Sequence, residues 1–97
     1  MISIGSEFAS AVVASAARMG LELEATDAEV RRYATLRLLH LSRIQGEPGY
    51  QEAVEAEAAA LSLTIVGRAI QEADAADREL RGLLVGLLRM GVTALLA

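Results

Sequence analysis

The sequence has no cysteine, no lysine and no tryptophan, and it contains few aromatic residues and only one proline. The absence of cysteine excludes disulfide bonds, thiol catalysis and cysteine-ligated metal sites. The basic residues are all arginine and are outnumbered by the acidic ones, so the formal net charge is -4 at pH 7. Because nucleic-acid binding needs a basic face for phosphate contacts, we expect no nucleic-acid partner.

Long apolar segments are also missing. The longest runs without a charged residue are residues 8–17, 58–67, 82–88 and 90–97. None of them reaches the ~20 residues that a membrane-spanning helix needs, so we expect no transmembrane span. The N-terminal region has Glu7 and no early basic residue, which does not match a secretory signal peptide. We therefore expect a location in the cytoplasm or within a particle.

The chain is instead rich in aliphatic residues that suit helices. Hydrophobic residues make up 54% of the 97 residues, and most of them are Ala, Leu, Val or Ile. Ala and Leu are strong helix formers. A chain of this length buries only roughly 60–65% of its unfolded surface when it folds alone. We therefore predict a single all-α domain over residues 1–97 that leaves apolar surface for contact with another protein.

Two helices are predicted in the first half of the chain. Apolar residues recur at helical spacing over about residues 6–19, and Gly20 supplies a C-terminal stop. Thr26 and Glu29 have the spacing of a capping box, which predicts a second helix over about residues 27–45.

A tight turn follows the second helix. Residues 46–49 read Gly-Glu-Pro-Gly, and proline flanked by glycine favours a reversal into a new helix. The second and third helices are therefore predicted to form an antiparallel hairpin. Leu36 and Leu39 fall outside the main apolar arc of the second helix, which predicts that this helix contacts neighbours on two sides.

An apolar seam runs through residues 49–97. Positions that alternate by three and four residues are almost all apolar, and they are Ala59, Ser62, Val66, Ala69, Ala73, Ala76, Leu80, Leu83, Leu87, Met90, Ala94 and Ala97. A heptad pattern of this length without caps is typical of a coiled coil. We therefore favour one helix of about 48 residues, roughly 70 Å long at 1.5 Å per residue. The alternative is a break at residues 73–77, which are acidic and alanine-rich.

The favoured architecture is thus a helical hairpin with an N-terminal helix and a long C-terminal helix, and the alternative is a compact four-helix bundle. In the favoured architecture, the second half of the long helix projects beyond the hairpin. Its exposed seam predicts a partner-binding site at Leu80, Leu83, Leu87 and Met90. Gly82 and Gly86 lie four residues apart and would allow a partner helix to approach closely.

The polar residues do not form a recognisable catalytic or metal-binding pattern. Arg37 lies inside the apolar arc of the second helix, so its head group is predicted either to reach water or to pair with Glu52 or Glu55. His40 is the only histidine and is predicted to pack at the edge of that arc. A carboxylate metal site between helices needs two Glu-x-x-His pairs, which one histidine does not provide. We predict no catalytic residue, no metal and no cofactor.

These features favour a structural function. We expect a non-enzymatic, self-associating helical protein that forms a subunit of a larger complex or particle, with a second copy or another helical protein as its partner. The alternative is a small acidic adaptor or inhibitor that binds a basic protein through residues 47–77. A weaker alternative is peripheral association with a membrane, for which the arginines of the C-terminal helix give only a thin basic face.

Overall fold

The computed structural model describes residues 4–68 and 75–96, which form four α-helices and, within those ranges, no β-strand. α1 spans Ile4–Met19, α2 spans Asp27–Ile44, α3 spans Tyr50–Val66 and α4 spans Ala75–Leu96. The predicted all-α class is confirmed. The first two helices lie at nearly the predicted residues.

The N-terminal cap of α2 forms as its sequence indicates. Thr26 Oγ1 accepts a hydrogen bond from the backbone N–H of Glu29 at 3.2 Å. In return, Glu29 Oε2 accepts one from the backbone N–H of Thr26 at 3.1 Å. These two bonds make a capping box, which satisfies backbone donors that the first turn of a helix leaves without partners.

The turn at residues 46–49 reverses the chain between α2 and α3. The N–H of Glu47 donates to the carbonyl of Ile44 at 3.0 Å, and the N–H of Tyr50 donates to the carbonyl of Glu47 at 3.2 Å. α3 then returns along α2, and the start of α2 lies near the end of α3. The two helices therefore form the predicted antiparallel hairpin.

α3 ends at Val66, and Gly67 caps it in a left-handed conformation with a φ of +73°. A residue with a side chain rarely adopts this φ, and a Cβ at position 67 would also contact the carboxylate of Glu24. The prediction of one helix through residues 49–97 is therefore wrong. The helix ends before the alternative break at residues 73–77, of which 73 and 74 lie outside the described residues.

Two sets of polar contacts hold the end of α3. The carbonyl of Ile65 accepts hydrogen bonds from the backbone N–H groups of Glu24 at 2.8 Å and Ala25 at 3.2 Å. Arg68 Nε lies 2.9 Å from Oδ1 of Asp77, a buried residue of α4. Because the last carbonyls of a helix need partners outside it, the α1–α2 connection also caps α3. The Arg68–Asp77 ion pair connects the first turn of α4 to the residue that follows Gly67.

The four helices make a flat bundle. α2 and α4 contact each other, and each also contacts α1 and α3, whereas the described parts of α1 and α3 do not touch. α2 and α4 therefore lie on the short diagonal of the arrangement, with α1 and α3 at its far corners. The Cα atoms extend over 33 × 33 × 17 Å. Two layers of helices about 8–10 Å apart account for the thin dimension.

One core lies between the helices. Its buried apolar residues are Phe8, Ala9, Val12, Val30, Ala34, Leu38, Leu41, Val54, Ala58, Leu61, Ile65, Val66, Leu80, Leu84, Leu88 and Val92. α4 contributes a line with a spacing of four residues, from Leu80 through Leu84 and Leu88 to Val92. At 100° per residue, this line is centred roughly a quarter turn from the predicted seam.

α4 approaches α2 closely at Gly91. Gly91 is buried, and a Cβ there would lie 2.7 Å from a Cδ atom of Leu38. Normal carbon–carbon contacts are about 3.5–4.0 Å. The absence of a side chain at Gly91 therefore allows Leu38 to fill the space between the two central helices.

The end of α3 can be tested with Gly67→Ala. We expect this variant to lose about 1 kcal/mol of unfolding free energy, because alanine tolerates a positive φ poorly. Circular dichroism should show a melting temperature lower by about 4–8 °C. Gly67→Asn is the matched control, because asparagine also has a Cβ but adopts left-handed conformations more readily, and it should lose less. A helix that continued through residue 67 would instead gain about 1 kcal/mol from alanine, so a higher melting temperature would contradict the structure.

Candidate functional site

The titratable side chains of the described residues form few close groups. In residues 4–68 and 75–96, no group of three or more His, Asp or Glu side chains is placed to hold a metal ion. The single histidine, His40, is exposed on α2, and its Nδ1 lies 3.7 Å from Glu57 Oε1. The described surface also carries charged and exposed apolar side chains.

Arg37 forms an ion pair with α3, but its partner is neither Glu52 nor Glu55. Arg37 Nη1 lies 3.1 Å from Glu57 Oε2. Glu55 instead faces α4, where its Oε1 lies 3.7 Å from Arg81 Nη2, and Glu52 is exposed.

The positions of these carboxylates follow from the buried line of α3. That line runs through Val54, Ala58, Leu61 and Ile65. At 100° per residue, Glu57 lies on its α2 side, Glu55 lies on its α4 side and Glu52 points outward. The prediction of an ion pair between Arg37 and α3 thus named the right helix but the wrong residues.

The predicted partner-binding residues on α4 do not share one environment. Leu80 is buried in the core, so it is not available to a partner in this fold. Leu83 and Leu87 are half-buried, and Met90 is 68% exposed. The prediction of a fully exposed seam is therefore corrected, because α4 folds back on the bundle and α1 covers one edge of the seam.

An open groove runs between α1 and this edge of α4. Its residues include Phe8 and Ala11 of α1, and Leu87, Met90 and Ala94 of α4. A second depression lies nearer the start of α4 and is lined by Ser15, Arg18, Met19, Glu79 and Leu83. Leu83 and Leu87, the half-buried part of the seam, line these two depressions and remain in contact with solvent.

Gly82 and Gly86 lie on the side of α4 that points away from the core. A Cβ at either position would meet no described atom within 4 Å, so neither glycine serves a close contact inside this part of the chain. Glycine in a helix interior costs about 1 kcal/mol relative to alanine. We define the outer face of α4 as Gly82, Gly86, Met90 and Thr93, with Glu79 at its N-terminal end and Arg89 along one edge.

α2 exposes a second apolar surface. Leu36 is 58% exposed and Leu39 is 40% exposed, and Arg32 and Arg43 lie beside them. α2 contacts α1, α3 and α4, so the prediction that it has neighbours on two sides is confirmed, but Leu36 and Leu39, on which that prediction was based, are exposed. We define the outer face of α2 as these four residues. Because α2 and α4 lie on the short diagonal, their outer faces belong to opposite broad sides of the bundle.

Comparison with known proteins gives no relative from which a function could be inferred. The chain matches no protein-family model, no curated protein and no solved structure. Within the described part of the chain, the helices are too short or too polar to cross a membrane.

The partly buried Arg37–Glu57 ion pair predicts a difference between two glutamates of α3. Glu57→Gln should lower the unfolding free energy by about 1 kcal/mol, because it leaves Arg37 beside a neutral group in a partly buried position. Glu52→Gln is the control, since it makes the same change at an exposed position, and it should alter stability by less than about 0.5 kcal/mol. Urea denaturation measures both. Equal losses for the two variants would contradict the Arg37–Glu57 assignment.

Proposed function

We propose that this chain is a non-enzymatic, self-associating helical protein that forms a structural subunit of a larger assembly. The proposal rests on the two outer faces defined above. On each broad side of the bundle, the central helix exposes large apolar surface, through Met90 alone on one side and through Leu36 and Leu39 on the other. Exposed apolar surface on a soluble fold commonly marks a site of contact with another protein.

The compact fold changes the argument for self-association. α4 does not project from a hairpin, and its leucines already contribute to a core. A single chain therefore does not need a second copy to bury the leucines of its core. Assembly would instead join folded bundles through surfaces that lie on opposite sides, and two such surfaces permit more than a single pairwise contact.

An acidic adaptor or inhibitor, the alternative, has less support. Its binding surface would be the acidic stretch that includes α3. Glu55 and Glu57, however, already form ion pairs with Arg81 and Arg37 of the same chain. Glu47 and Glu52 remain exposed, so a basic partner would meet less negative charge than the sequence indicates.

Peripheral membrane association has the weakest support. Interfacial helices combine an apolar face with a strongly basic polar face. On the outer side of α4, Arg78 and Arg89 are accompanied by Glu79, and Gly82 and Gly86 add no apolar area. Met90 is the one large apolar side chain of this surface, and its basic side chains are too few to favour insertion at a lipid interface.

The direct experiment is light scattering coupled to size exclusion, on untagged protein loaded at about 5 to 500 µM. This range covers the weak association expected of small interfaces. We expect the weight-average mass to rise with concentration above that of one chain. A mass that stays at 10.2 kDa throughout would contradict self-association, and the adaptor hypothesis would then be tested by measuring binding to basic proteins.

Met90→Asp tests whether α4 provides the contact. The variant should fold normally, because the side chain is exposed, and it should weaken association by about tenfold or more, because it places a charge in an apolar contact. Leu63→Asp is the matched control, since Leu63 is 57% exposed on α3 and the new charge is the same. If both variants weaken association equally, the effect is general electrostatic repulsion and the assignment to α4 is wrong.

A further inference from the structure

The outer face of α4 has a composition that the fold of one chain does not explain. Gly82 and Gly86 lie inside a 22-residue helix, each with open space above it. Alanine at these positions would meet no described atom and would favour the helix. Beside these glycines, Met90 is 68% exposed. A flat glycine surface next to a protruding apolar side chain has the shape of a helix–helix contact.

The position of Gly86 gives this surface a centre. At 100° per residue, Gly86 lies about 180° around α4 from the middle of its buried line. It is therefore the point of α4 farthest from the core, and no described atom lies within 4 Å of a Cβ built there. Gly82 lies one turn before it and Met90 lies one turn after it, on opposite sides of the centre line.

We propose, on the basis of the self-association proposed above, that this face binds the same face of a second copy. The two α4 helices run antiparallel, and a two-fold axis passes beside Gly86. Helical geometry then brings Met90 to the height of a hole on the second copy's α4. The four residues around that hole are Glu79, Gly82, Leu83 and Gly86. The two-fold axis repeats the contact, so Met90 of each copy enters the hole of the other.

The charges at the margins favour the antiparallel orientation. Glu79 lies seven residues before Gly86, and Arg89 lies three residues after it. In the antiparallel pair, Glu79 of each copy comes within side-chain reach of Arg89 of the other. A parallel pair in the same register would instead place Glu79 beside Glu79 and Arg89 beside Arg89. Opposite charges across a contact select its orientation, and like charges oppose it.

The two glycines provide the first test. The double variant Gly82→Ala with Gly86→Ala should raise the melting temperature of the dilute monomer by several degrees, because alanine favours the helix. The same variant should raise the dissociation constant by about tenfold or more, because two methyl groups occupy the space that Met90 enters. Thr35→Ala is the control. It places alanine at an exposed position of α2 and should leave the dissociation constant unchanged.

Charge exchange provides the second test and leaves Gly82, Gly86 and Met90 unchanged. Glu79→Arg and Arg89→Glu should each weaken self-association by about threefold to tenfold at low salt. An equimolar mixture of the two variants should associate at least as well as the wild type, since each mixed pair regains two opposite-charge contacts. The double variant E79R/R89E should recover in the same way. Sedimentation velocity with one fluorescently labelled chain measures all four samples.

The outcomes separate this geometry from the broader function. If the wild type remains monomeric up to about 500 µM, a range set by weak interfaces, the proposed function fails and the α4 contact fails with it. If the wild type associates but neither the glycine variant nor the charge exchange alters its dissociation constant, self-association stands and the antiparallel α4 contact is overturned. If association falls for each single charge variant and is not restored in the mixture, the antiparallel orientation is wrong.

Discussion

The fold depends on the left-handed turn at Gly67. The apolar residues that follow it would otherwise continue along the axis of α3 and leave the core without its fourth helix. The positive φ at Gly67 ends α3, and the carbonyl of Ile65 finds its hydrogen-bond donors in the connection between α1 and α2. α4 can then return across the bundle, where Leu80, Leu84 and Leu88 are buried. The flat shape and the position of the exposed faces are consequences of this return.

The flat arrangement determines which surfaces remain available for binding. Because α2 and α4 meet across the short diagonal, each has one side in the core and the opposite side on a broad face of the molecule. Gly91 brings the two helices close together over Leu38, while Gly82 and Gly86 lie on the side that faces away. Glycines of one helix thus serve two purposes: one permits packing within the chain, and the other two leave an outer surface open.

Local sequence signals predicted the parts of the fold that depend on neighbouring residues. The capping box at Thr26 and the turn at residues 46–49 are contained within a few residues, and both form as expected. The end of α3 was not predicted, because the apolar seam keeps its phase across Gly67 and periodicity alone favours a continuous helix. α4 also carries two overlapping apolar lines, one through Leu83 and Leu87 and the other through Leu84 and Leu88. Only tertiary packing decides between them.

The residues of the candidate site were predicted only in part, because their exposure and pairing also depend on tertiary packing. Met90 lies on the exposed side of α4, whereas Leu80 belongs to both apolar lines and is buried. The ion pair of Arg37 with Glu57 rather than with Glu52 or Glu55 depends on how α3 is rotated against α2. No local pattern in the sequence specifies how α3 is rotated about its axis. The sequence does contain the two glycines that favour a close helix contact, and the structure shows that this contact is not used within the described chain.

The central claim is that α4 meets α4 of a second copy in an antiparallel contact at Gly86, and a distance between two copies tests it most directly. The chain has no cysteine, so Arg78→Cys provides a single site for a nitroxide spin label. Position 78 lies eight residues before Gly86, and the antiparallel contact therefore separates the two labels by about 24 Å along the helix axis. Pulsed electron paramagnetic resonance at high protein concentration should show one intermolecular distance of roughly 25–30 Å, as helix rise and spacing require. A distance near 10 Å, the spacing of two parallel helices, or no intermolecular coupling at all would contradict the account.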